Sequence, residues 1–67
     1  MNQVTNPVAY VPIGQAILKS MGVDATKVSQ KTLELFAFRS RGSMREFTDS
    51  VTMEAIDMGG VVDKYLT

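Results

Sequence analysis

The densest group of side chains able to hold or transform a ligand is Arg39-Ser40-Arg41-Gly42-Ser43-Met44-Arg45. Three guanidiniums and two hydroxyls bracket a glycine where the pattern predicts a helix start. The free amides and dipole of such a start favour anions, and each guanidinium can donate two parallel hydrogen bonds to a phosphate. Arg39, Arg41, Ser43 and Arg45 are therefore the candidate anion-binding residues, suited to a small phosphate-bearing ligand such as a nucleotide. Glu46 competes for the same helix start. The chain has no Walker A sequence and no G-x-G-x-x-G, so nucleotide hydrolysis has no support.

Acidic residues form the second group. Glu46 and Asp49 are three apart, as are Glu54 and Asp57, so each pair can approach on a helix surface. They lie mainly opposite an apolar stripe, where burial cannot tune their pKa values, and no calcium-loop pattern is present. A solvated helix face is the better reading. Histidine and cysteine are absent, which removes imidazole acid–base catalysis, thiolate nucleophiles, disulfides and Cys/His zinc sites. Lys19-Ser20 lacks the S-x-x-K spacing of a lysine-activated serine. No catalytic residue, metal ligand or cofactor is assigned, and the chain is read as a non-enzyme.

A helix–short turn–helix arrangement across residues 25–58 invites comparison with DNA-binding helix-turn-helix motifs. Such motifs place basic or amide side chains at the start of the second helix. Here only Arg45 fits, and the acids that follow would repel phosphates, so nucleic acid is not an expected partner.

These groups sit in a chain of 67 residues, one small domain. Its apolar fraction of 45% and charged fraction of 21% indicate a folded protein rather than a disordered one. No run is long and apolar enough to span a bilayer, and the first residues show no secretory signal. The expected location is intracellular or within a virion or other assembly, with no membrane association.

The predicted fold is all-α: three helices at about 13–21, 25–40 and 44–58. An extended arm covers residues 1–12, and a short helical turn or tail covers 61–67, with residues 13–67 forming the single helical domain. The arm is read from Asn6-Pro7, Pro12 and the extended-favouring Val4, Thr5, Val8, Tyr10 and Val11. In the first helix Ile13, Ala16, Ile17 and Met21 share a face, widened by Leu18, and Gly22 stops it. Asp24 is the expected cap of the second helix, with Val23 stapled on Val28. Its run Leu33-Glu34-Leu35-Phe36-Ala37-Phe38 is apolar nearly all round, as for a helix buried on more than one side. Ser43 and Glu46 form a capping box for the third helix, whose stripe is Met44, Phe47, Val51, Ala55 and Met58, and Gly59-Gly60 ends it. No internal repeat is evident.

A domain this small buries only about 60% of its unfolded surface, and disulfides or a Cys/His metal site are not available to compensate. Tryptophan is absent, and five methionines supply adaptable contact surface. Charge is segregated: residues 1–45 carry six basic and two acidic side chains, net +4, and residues 46–67 carry one basic and five acidic, net −4. Such segments either pair the acids of the third helix with the second helix inside one fold, as ordinary solvated faces worth about 0–1 kcal/mol per pair, or bias encounter and register between molecules. The leading expectation is a structural or interaction protein that self-associates as a homo-oligomer or docks into a larger protein assembly, a virion or cage component being one form. Val8, Tyr10, Leu33, Phe36, Phe38, Met53 and Ile56 are the expected interface residues. The alternatives are a small anion binder at Arg39–Arg45 and a protein inhibitor of a host enzyme.

Overall fold

A computed structural model describes residues 6–60, and these form a three-helix domain with no strand among them. The helices are α1, Val11–Ser20; α2, Gln30–Ser40; and α3, Met44–Asp57. A 3-10 turn, Pro7–Tyr10, leads into α1, and another, Ala25–Lys27, interrupts the α1–α2 connection. The all-α, three-helix expectation holds. The tail expected at 61–67 and the first five residues of the arm lie outside the described residues.

The extended arm is corrected where it is described. Pro7, with φ pre-set for a helical first position, opens the 3-10 turn, and the Ala9 amide donates to the Asn6 carbonyl at 3.1 Å. Winding, rather than extending, places the Tyr10 ring edge-on to Phe47, with centroids 5.1 Å apart and an interplanar angle of 74°. This arrangement gives aromatic pairs favourable quadrupole contact. Pro12 does not delay the helix: it lies in the first turn of α1, where amides have no intrahelical partner to lose.

The second helix starts five residues later than predicted. Asp24 does act as a cap, accepting from the Thr26 amide at 2.9 Å and the Thr26 hydroxyl at 2.8 Å, but it caps the 3-10 turn. Val28 then adopts extended backbone (φ −113°, ψ 122°) and buries its side chain beside Val23 in the core. Ser29 is the cap of α2, its hydroxyl accepting from the Thr32 amide at 3.1 Å. Burial of two valines on either side of the turn outweighs the helix-permissive character of residues 25–29.

Among the described residues the core contains ten apolar side chains, of which Phe47, Leu18, Leu33 and Val51 are the largest with no exposure. From α1 it takes Val11 and Leu18, with Met21 at its C-cap, so the buried face is rotated from the one predicted; Ile13 is 39% exposed. The cause is Gly14. A Cβ there would lie 2.8 Å from Leu33 Cδ2 and 3.2 Å from Phe47 Cζ, so glycine sets the close approach of α1 to both other helices. From α3 the stripe contributes Phe47, Val51 and Ala55, whereas its end members Met44 and Met58 remain 45% and 43% exposed.

Both glycine stops close in the same way. The Val23 amide donates to the Leu18 carbonyl and Gly22 to Lys19 at the end of α1; Gly60 donates to Ala55 and Gly59 to Ile56 at the end of α3. These are Schellman closures, with Gly22 at φ 78° and Gly59 at φ 90°.

Candidate functional site

The arginine cluster spans the α2–α3 turn. Arg41 caps α2 in the left-handed region (φ 53°, ψ 39°) and Gly42 continues at φ 85°, which reverses the chain in two residues. Arg39, Arg41 and Arg45 are exposed. Ser43 is committed locally: its hydroxyl accepts from the Glu46 amide at 3.2 Å, capping α3 as predicted. The reciprocal half of the box is replaced, because the Ser43 amide donates to the Ser40 carbonyl at 3.0 Å. The turn thus draws its hydrogen bonds from its own backbone and side chains. Ser40, the buried hydroxyl beside it, donates to the Ala37 carbonyl at 2.7 Å.

Seven residues carried the expected interface, and the structure separates them. Leu33 is fully enclosed in the core of its own chain, which corrects its assignment: it packs against the gap that Gly14 leaves. Tyr10 and Phe36 are half-buried against the same core. Phe38 is 64% exposed, Met53 62%, Val8 49% and Ile56 44%. Leu35, 50% exposed, was missed. An all-round apolar helix does not say which of Leu33 and Leu35 faces inward; the position of Gly14 on the neighbouring helix decides it.

Four of these exposed residues gather on the outer faces of α2 and α3. On α2, Lys31, Leu35, Phe38 and Arg39 are all exposed and lie opposite the buried Leu33 and Ala37. On α3, Asp49, Met53, Ile56 and Asp57 are all exposed and lie opposite Phe47 and Val51. Each face thus presents two large apolar side chains between charged ones, basic on α2 and acidic on α3. Between the two helices runs an open groove of about 430 Å³. Phe36 and Met53 supply its apolar surface, and Glu46, Asp49, Glu54 and Asp57 outnumber Arg39 among its charged residues.

No group of His, Cys, Asp or Glu among the described residues is arranged to hold a metal ion. No described helix is long and apolar enough to cross a membrane. The Asp24 carboxyl is held below its ordinary pKa first by the Thr26 amide and then by the Thr26 hydroxyl. That is a capping effect, remote from the α2–α3 faces. Compared with protein-family models, curated proteins and solved structures, the chain matches none.

Proposed function

We propose that this chain is a non-enzymatic protein-interaction module, working through the outer faces of α2 and α3 as a component of a larger assembly. The observation that carries the reading is the exposure of Leu35, Phe38, Met53 and Ile56, each 44–64% open, on two helix faces of opposite charge. Single exposed apolar residues are ordinary. Four on adjoining helices, each pair flanked by charge of one sign, have the composition of an interaction surface: apolar centre, charged rim.

The test is in-cell crosslinking of the tagged chain, comparing wild type with Phe38→Glu and Met53→Glu. Both positions are on the surface, so the fold is retained, which circular dichroism checks. The reading expects wild type to crosslink to a defined protein, either itself or another, and both variants to lose that product. Equal products from all three chains would refute it.

A further inference from the structure

The two outer faces share one spacing with opposite charge. On α2 the order is Lys31, Leu35, Phe38, Arg39; on α3 it is Asp49, Met53, Ile56, Asp57. In each, the second, third and fourth residues follow the first by four, seven and eight positions. The two charges on each face are thus about 12 Å apart along the helix, with both apolar side chains between them. All eight side chains are exposed.

Two of these charges oppose the helices that carry them. Lys31 lies in the first turn of α2, at the positive end of its dipole, and that turn has no acidic residue. Asp57 ends α3, at the negative end, and the last turn there has no basic residue. Neither placement helps its own helix. Both become favourable if the α3 face of a second copy lies antiparallel on the α2 face. Lys31 then meets Asp57 and the C-terminal end of α3, Arg39 meets Asp49, and Leu35 and Phe38 pack against Met53 and Ile56.

Resting on the reading of the chain as an interaction module, we propose that the occupant of each face is a second copy of this chain, joined head to tail, α2 of one copy against α3 of the next. The contact is heterologous, so a joined pair leaves a free acidic face on one copy and a free basic face on the other, and association continues into a ring or a filament. A single helix pair is a small interface, so the contact is weak, with a Kd of about 10–100 µM, and it weakens further with salt.

Sedimentation velocity with light scattering on the full chain tests this. Wild type in low salt grows with concentration beyond 7.3 kDa. The acidic-face variant (Asp49→Lys with Asp57→Lys) and the basic-face variant (Lys31→Glu with Arg39→Glu) each carry two faces of like charge. Each alone loses at least about tenfold in association, because like charges now meet across the contact. Mixed in equal amounts they are complementary at both contacts and recover it. Because the chain has no cysteine, Lys31→Cys mixed with Asp57→Cys gives a disulfide-linked pair under mild oxidation, and Lys31→Cys with Asp49→Cys does not. A wild type that stays monomeric, variants that associate as wild type does, a mixture that fails to recover, or the reverse crosslink pattern would each overturn the proposal. A monomeric wild type that still crosslinks to a foreign protein in cells overturns this inference alone and leaves the interaction reading standing.

Discussion

Gly14 provides the sharpest check on how the three helices meet. Alanine at this position brings about 1 kcal/mol of helix propensity. Its Cβ would stand 2.8 Å and 3.3 Å from the two terminal carbons of Leu33 and 3.2 Å from Phe47 Cζ. Carbon pairs are comfortable at about 3.5–4.0 Å. Leu33 and Phe47 have no exposure, so neither can move aside into solvent. Overpacking of this kind costs about 1–3 kcal/mol, and the net expectation for Gly14→Ala is a loss of about 0–2 kcal/mol despite the propensity gain. Leu33→Val removes both terminal carbons of Leu33, including the closest contact at 2.8 Å, at a cost of about 1 kcal/mol. In that background Gly14→Ala should turn neutral or stabilising, with a coupling of about 1–2 kcal/mol in the double-mutant cycle. Ala16→Gly, on the exposed side of α1, serves as control and should cost about 1 kcal/mol in both backgrounds. Urea titrations followed by circular dichroism read these values, and each kcal/mol corresponds to roughly 4–8 °C in Tm for a domain of this size. If Gly14→Ala has the same effect with leucine or valine at position 33, the close approach of α1 to α2 is wrong.

Arg41 holds a left-handed conformation that costs a non-glycine residue about 1 kcal/mol, so Arg41→Gly should raise Tm by a few degrees in thermal melts. A fall would mean that its side chain contributes something the turn geometry does not explain. Ser43→Ala removes the hydroxyl that caps α3 and should destabilise by about 1 kcal/mol in urea titrations, with Ser43→Asp restoring most of it. Asp24 has a folded pKa below its ordinary 3.8. Its contribution to stability is therefore complete above that value and is lost as pH falls through the lower, folded one. Tm measured for wild type and Asp24→Ala should differ near neutral pH and converge as the solution is acidified below that range; a difference that persists in strong acid contradicts the capping assignment.

How much of this the sequence disclosed depends on whether the signal was local. Ser43 three residues before Glu46, Gly22 after Met21 and Gly59-Gly60 after Met58 are local chemistry, and each acts where its type predicts. The middle of the α3 stripe was also legible, because Phe47, Val51 and Ala55 repeat at helical spacing with acids opposite. The start of α2 was not: Asp24 and Ser29 are both good caps, and the choice turned on burying Val23 and Val28 against distant residues. The α1 face was misjudged because Gly14 looked like a weak helix position, whereas it is the contact point. Its value exists only once Leu33 and Phe47 are opposite it. The matched spacing of the α2 and α3 faces escaped for a related reason. Their residues differ in type and sign at every position, so no repeat is visible until exposure selects the same four positions on both helices.

Segregated charge had two readings from sequence: acids of α3 pairing with bases of α2 inside one fold, or between molecules. The structure bears on that choice through geometry. α2 and α3 share a core that includes Leu33, Ala37, Phe47 and Val51; Arg39, Asp49 and Asp57 line the groove between the two helices, whereas Lys31 is not among the residues lining it. Exposed ion pairs add little to stability, about 0–1 kcal/mol each, and Lys31 and Asp57 sit at the ends of their helices that disfavour them. The fold gains little from the exposed parts of Leu35, Phe38, Met53 and Ile56, each 44–64% open to water. Polar replacements at all four should leave Tm within a few degrees of wild type while removing association. The separation of those two effects is what distinguishes a surface kept for binding from one that merely encloses a small core.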